Sequence, residues 1–181
     1  MLLHLMDHER WQRLQDDFAN VLGIPLRTVS PDRQLLVNPS WPAGLDAERM
    51  VALLKMGEEL EPLLPSPGAT GTRLTAVLGV TYAAVPISDG ADGVAAYFVV
   101  GPLVVGPRED EQAFRQRAHA LGRDDAALWS LALSLKLYTH AATRALLTLL
   151  EDVGASFAPC ACQAPAHGGA RFASEAAAPQ Q

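Results

Sequence analysis

The stretch from 73 to 105 in the middle of the chain is the feature that most constrains the fold. Two apolar runs, rich in valine and aromatic residues, flank the sequence D-G-A-D-G at 89–93. Apolar runs on either side of such a turn are typical of an antiparallel hairpin. The second run, Val94–Val100, is apolar almost throughout, as expected of a strand buried on both faces. Each run then meets a proline, Pro86 or Pro102, where strand pairing should break or pass to an edge because proline donates no ladder hydrogen bond.

A helix, two short strands and a helical segment are expected before this hairpin. Apolar residues at three- and four-residue steps predict a helix over 7–22. Strands are expected at 24–29 and 34–38, joined by the turn sequence S-P-D-R. A helical segment is expected over 46–64, and Gly57 allows it to divide into two shorter helices.

Three helices are expected after the hairpin, at about 109–121, 124–135 and 139–157. Residues 158–181 are dominated by Ala, Pro, Gly and Gln without periodicity, so we expect a disordered tail. The remaining residues, 1–157, form one domain. Three strand-like runs are expected within 73–105, which with the two earlier strands makes five. Mixed helices and an antiparallel sheet favour the α+β class, with a five-stranded antiparallel sheet flanked by helices and further helices at the C-terminal end.

Composition favours a cytoplasmic protein that binds neither nucleic acid nor membranes. The chain has 181 residues and a formal net charge of −6, whereas nucleic acids and anionic lipids select basic surfaces. No apolar run reaches the ~20 residues that span a bilayer, and the N-terminus has no secretory signal pattern. Cys160 and Cys162 lie two residues apart in the tail, where they cannot cross-link the core, a pattern that suits a reducing compartment.

Four stretches together resemble a known family. They are F-A-N-V-L-G-I-P-L-R-T-V-S-P-D-R-Q-L-L at 18–36, G-V-T-Y-A-A-V-P-I at 79–87, V-A-A-Y-F-V-V-G-P-L-V-V-G-P-R at 94–108, and A-H-A-L-G-R-D-D-A-A-L-W-S-L-A-L at 118–133. In this order and spacing the chain resembles a PAS-like sensory domain of the PocR type over about 7–157. The resemblance implies a PAS-like five-stranded sheet and a pocket for a small molecule between sheet and helices. Members are usually the sensory input of transcription factors or histidine kinases.

The chain departs from this family in two respects. Many members carry cysteines between the hairpins, but 73–78 contains none, so a cysteine-dependent metal or redox role is not expected. No helix-turn-helix, kinase or cyclase segment follows Phe157. The sensor is therefore expected to act through a regulatory or signalling protein in trans, or to serve as a scaffold.

Four residues are the predicted walls of a ligand pocket: Trp41, Arg73, Tyr82 and Tyr97. They would give a mostly apolar pocket with a few polar groups, and Arg73 can pair with an acidic ligand. Ordinary sheet packing or surface exposure is the favoured explanation of all four. For Trp41, which lies between two prolines, a plug at one end of the sheet is the favoured interpretation.

Neither a metal centre nor a catalytic site is expected. His4 and His8 have helical metal-ligand spacing, but the zinc-protease pattern H-E-x-x-H is incomplete. Cys160, Cys162 and His167 provide three metal ligands where a structural zinc site needs four. No nucleophile elbow, phosphate-binding loop or acid–base pair can be placed. The chain is therefore expected to be no enzyme and to carry no cofactor.

Two functional hypotheses follow. The first is a stand-alone sensory or regulatory module that binds a small molecule and signals through a partner protein. The second is a non-enzymatic interaction adaptor or scaffold with a filled core, for which a homodimer is one form; the small Ala and Val side chains of 94–100 favour it. The sheet interior distinguishes them, since the first needs a pocket and the second needs solid packing.

Overall fold

A computed structural model describes residues 8–54, 72–88 and 93–156. Its elements confirm the α+β class, with a five-stranded sheet and five helices in the described part of the chain. In chain order they are α1 (His8–Leu22), β1 (Leu26–Val29), α2 (Ala47–Leu54), β2 (Arg73–Val77), β3 (Val80–Ser88), β4 (Val94–Val105), α3 (Glu111–Ala120), α4 (Asp125–Ser134), β5 (Leu137–Tyr138) and α5 (His140–Ser156).

The predicted hairpin forms the centre of the sheet. The strand order is β1-β4-β3-β2, and these strands are antiparallel. In β4 every residue from 96 to 104 is buried, as its unbroken apolar sequence predicts. The fifth strand, β5, is only two residues long and pairs with the end of β4 in the parallel sense.

Pro102 marks the point where β4 changes partner. Before it, β4 pairs with β1 as far as Val100, and after it Val104 pairs with β5. The preceding Gly101 has φ +111°, and a Cβ there would lie 2.7 Å from the Thr81 carbonyl oxygen. Glycine therefore allows β4 and β3 to approach closely at the point where their pairing register shifts. Pro86 pairs with Tyr97 of β4 and lies beyond Arg73, the first residue of β2, so β3 has one neighbour there among the described strands.

The predicted strand at 34–38 does not form a regular strand. Leu35 makes one isolated bridge to β1, and Ser40 makes another. The backbone N–H of Asn38 instead donates to the side chain of Gln12 on α1, and the Asn38 carbonyl accepts from Gln15. Side chains of α1 therefore bind the backbone N–H and carbonyl groups that would have extended the ladder. The local sequence of 34–38 does not encode this competition.

The sheet separates two helical layers. On one face α1 and α5 cover a core that includes Leu26, Val85, Phe98 and Leu150. Gly154 lets α5 approach closely, because a Cβ there would lie 2.8 Å from the carbonyl oxygen of Pro86. On the other face α2, α3 and α4 pack over the end of the sheet that carries Val80, Tyr82 and Val104. In the described part of the chain, none of the helices has the length and apolar character required to cross a bilayer.

Candidate functional site

One row of residues crosses the second face of the sheet from edge to edge. Arg73 lies opposite Ala84, Ala84 opposite Val99, and Val99 opposite Arg27. Residues directly opposite each other in a ladder share a face. Each end of the row is therefore an arginine, and the centre is two small side chains. With neighbouring strands ~4.8 Å apart, the two arginine Cα atoms are separated by about 14 Å.

Two buried tyrosines flank this row. Tyr82 lies two residues before Ala84 on β3, and Tyr97 lies two residues before Val99 on β4. Because side chains alternate between faces, both tyrosines lie on the face of the row, and each is 1% exposed. Burial raises the pKa of the Tyr97 hydroxyl, so this group stays neutral at physiological pH.

Arg27 is the unusual member of this face. It is 4% exposed, a degree of burial that arginine almost never reaches unless paired. Its Nε and Nη2 atoms are buried and have no hydrogen-bond partner among the described residues. Burial lowers the pKa of the Arg27 guanidinium to about 10, while Tyr82 acts electrostatically in the opposite direction. The group remains a cation at neutral pH.

The opposite face of the same strand is polar but fully paired. Thr28 lies next to Arg27 and points to α1, where its hydroxyl accepts from Trp11 Nε1 at 2.9 Å and donates to Gln15 Oε1 at 2.7 Å. Gln15 Nε2 in turn donates to the Ser40 hydroxyl at 2.8 Å. The Trp11 ring stacks on Phe98 with centroids 5.6 Å apart. This network fixes α1 on the sheet, which is a structural role.

The structure brings together three of the four predicted pocket residues. Arg73, Tyr82 and Tyr97 share one sheet face, although Arg73 is exposed at the β2 edge. Trp41 is half-buried against the helical cluster that contains Tyr82, which fits the expected plug. Arg27 escaped the sequence analysis. Its one signal was its place in L-R-T-V, where a charged residue interrupts an otherwise apolar or β-branched strand.

Two surface clefts are lined by described residues, and neither includes Arg27. The larger, of about 540 Å³, lies between β2 and α5 and is lined by residues such as Thr81, Thr143 and Arg144. The smaller, of about 360 Å³, lies where β4 meets β5, beside Leu137 and His140. Neither cleft contains one of the predicted pocket residues.

Within the described residues no group of three or more His, Cys, Asp or Glu side chains is arranged to hold a metal ion. His4, Cys160, Cys162 and His167 lie outside the described residues, so the metal sites considered there stay untested.

Comparison with known proteins adds no assignment to this geometry. No protein-family model matches the chain, and neither a curated protein nor a solved structure matches it. The resemblance to PocR-type sensory domains therefore stays a prediction.

Proposed function

We propose that this protein is a regulatory module that binds a small molecule on the sheet face centred on Arg27. Ligand binding there would control a partner protein in trans. The observation that carries the proposal is the buried Arg27 guanidinium, with two donor atoms that lack a partner among the described residues.

Energetics support an external partner for this group. Removing a cation from water costs several kcal/mol even after the protein relaxes, and an unmade hydrogen bond to a charged group adds to that cost. Structural buried charges are normally offset by a counter-charge. A cation held in this state by its surrounding fold is therefore well suited to receive a ligand that supplies the missing acceptors.

The surroundings of Arg27 suit the recognition of a small molecule. Ala84 and Val99 lie in the same row as Arg27, Tyr82 and Tyr97 lie on either side of that row, and all four are at most 1% exposed. Apolar walls with a few convergent polar groups are typical of ligand sites. The regulatory part of the proposal is supported by the resemblance of the chain to sensory domains.

Native mass spectrometry of the purified full-length chain tests this proposal, since it reports bound small molecules and subunit number together. Thermal-shift screening of a metabolite panel extends it. A ligand at one hundred times its Kd should stabilise the fold by about 2.7 kcal/mol, raising Tm by about 5–10 °C. Arg27→Met should abolish both signals. Arg49→Met removes an exposed arginine on α2 and should leave both unchanged.

Retention of the bound species by Arg27→Met would contradict the proposal, as would a panel that leaves Tm unchanged together with a ligand-free mass. Either result would favour the adaptor hypothesis. One observation already favours that alternative: Val29, Ala84, Tyr97 and Val99 form a closely packed cluster in which no side chain is more than 2% exposed. A dimer mass without bound ligand is the result that the adaptor hypothesis expects.

A further inference from the structure

The two unpartnered atoms of Arg27 define a particular hydrogen-bonding geometry. A guanidinium carries five N–H groups in a fixed planar fork. The Nε–H and one Nη2–H are parallel and lie along the same edge of that plane. Nε and Nη2 are the atoms that the structure leaves buried and without acceptors among the described residues. The two unsatisfied donors thus form one complete edge of the guanidinium, rather than two separate hydrogen-bonding positions.

A planar oxyanion fits such an edge. Two parallel N–H donors match the two oxygens of a carboxylate, giving a bidentate pair of charge-assisted hydrogen bonds. A single neutral carbonyl oxygen would leave one donor unsatisfied and the charge uncompensated. The geometry therefore selects against amides and alcohols as the group that meets Arg27.

The charge of the face distinguishes a carboxylate from a phosphate. Arg27 is the one buried cation in the row, and Arg73 lies exposed at the far edge of the sheet. Tyr97 is kept neutral by burial. A carboxylate carries one negative charge and would leave a neutral pair. A phosphate monoester carries about −1.5 to −2 and would leave an uncompensated negative charge in a dry environment.

We infer that the ligand of this face carries a single carboxylate, whose two oxygens accept hydrogen bonds from Nε and Nη2 of Arg27. This inference rests on the proposed function and specifies the chemical class of its ligand.

Three small probes test the inference independently of the size of the natural ligand: acetate, acetamide and methyl phosphate. Each is titrated into the ¹⁵N-labelled full-length protein at constant ionic strength, up to high millimolar concentration. The readout is the ¹⁵Nε–¹Hε resonance of Arg27, assigned by its loss in Arg27→Lys. Acetate should shift this resonance with a Kd about tenfold lower than that of either other probe, a difference of about 1.4 kcal/mol.

Arg27→Lys provides the matched control, because lysine keeps the charge and loses the fork. In this variant acetate binding, followed on the backbone amides of β1 and β4, should weaken about tenfold. The remaining amide resonances report whether the variant is folded, and Arg27→Gln serves in its place if it is not.

The outcomes separate the inference from the proposed function. Tighter binding of methyl phosphate, or equal binding of acetamide, at the Arg27 resonance would overturn the carboxylate and leave the ligand site standing. Probes that leave the resonance unmoved would also overturn the carboxylate. The ligand site itself fails if Arg27→Met retains the bound species in native mass spectrometry, or if the wild-type protein has a ligand-free mass and no compound of the panel changes its Tm.

Discussion

The two faces of β1 offer a direct comparison. Thr28 and Arg27 are neighbours on this strand, point to opposite sides of the sheet, and are 1% and 4% exposed. The Thr28 hydroxyl both donates and accepts within a network that reaches α1, whereas Nε and Nη2 of Arg27 have no acceptor among the described residues. Burial alone therefore does not distinguish these two residues, whereas the completeness of their hydrogen bonding does. Under the proposed function, that difference separates a structural polar residue from a ligand-binding one.

The comparison implies opposite energetic roles for adjacent residues. A paired hydrogen bond stabilises a fold by about 0.5–1.5 kcal/mol net, so substitutions on the Thr28 side should destabilise the protein. A buried charge without a counter-ion costs several kcal/mol, so the Arg27 side should tolerate loss of its charge. Four substitution experiments test this contrast.

The largest effect is expected at Trp11, the residue that joins the paired network to the core. Trp11→Ala should lower the free energy of unfolding by about 3–5 kcal/mol, because it removes a 3% exposed ring stacked on Phe98. Trp11→Phe keeps a ring and loses the donor to Thr28, so it should cost about 1–3 kcal/mol. Urea unfolding measures both. Wild-type stability in Trp11→Phe would show that the hydrogen bond contributes nothing, and equal losses in the two variants would show that the stacked ring contributes nothing.

A smaller loss is expected at Thr28. Thr28→Val preserves shape but leaves Trp11 Nε1 and Gln15 Oε1 buried without the hydroxyl, and should cost about 1–3 kcal/mol. Thr143→Val is the matched control, since Thr143 is 5% exposed and its hydroxyl donates to the carbonyl of Thr139, four residues earlier. If both valine variants are equally stable, the network on the α1 side is not a stabilising feature.

The opposite sign is expected at Arg27. Without ligand, Arg27→Met should unfold with an unchanged free energy, or one raised by up to about 1–2 kcal/mol, because methionine retains the apolar stem and removes the buried charge. Chemical denaturation of the ligand-free protein provides the measurement. A loss as large as that of Thr28→Val would mean that the chain itself completes the guanidinium, and the contrast between the faces would disappear.

The smallest effect is a pH dependence at Arg27. Burial lowers its pKa from the ordinary value of arginine to about 10 in the folded protein, so above about pH 10 the unfolded chain binds more protons and the free energy of unfolding rises with pH. Relative to that of Arg27→Met, the free energy of unfolding of the wild-type protein should rise by about 1 kcal/mol between about pH 9 and pH 11. Repeating the pair in a Tyr82→Phe background removes the ionisation of the neighbouring hydroxyl. A fall in the free energy of unfolding of the wild type, relative to that of Arg27→Met over this pH range, would contradict the predicted sign.

The fold was predictable where its determinants are local. Alternating and continuous apolar runs identify β2, β3 and β4, and Pro102 correctly marks the change of strand partner. The strand expected at 34–38 fails because Gln12 and Gln15, which lie on α1, bind the backbone of Asn38. That competition depends on tertiary packing, which no local pattern encodes.

The candidate site was predictable in part for the same reason. Period-two alternation places Tyr82 and Tyr97 on definite faces of their strands, but sequence does not say that those faces coincide with that of Arg73. Arg27 was not predicted, because alternation assigns a residue to a face without saying whether that face is covered. Its burial and its missing acceptors emerge only when the strands are assembled.

A crystal structure at a resolution that defines side-chain hydrogen bonds tests the central claim most directly. In ligand-free protein, the account predicts that no acceptor of the chain lies within hydrogen-bond distance of Nε or Nη2 of Arg27. In crystals soaked with acetate, it predicts two carboxylate oxygens at about 2.7–2.9 Å from these atoms. A carboxylate or carbonyl of the chain itself occupying that edge of the guanidinium would contradict it.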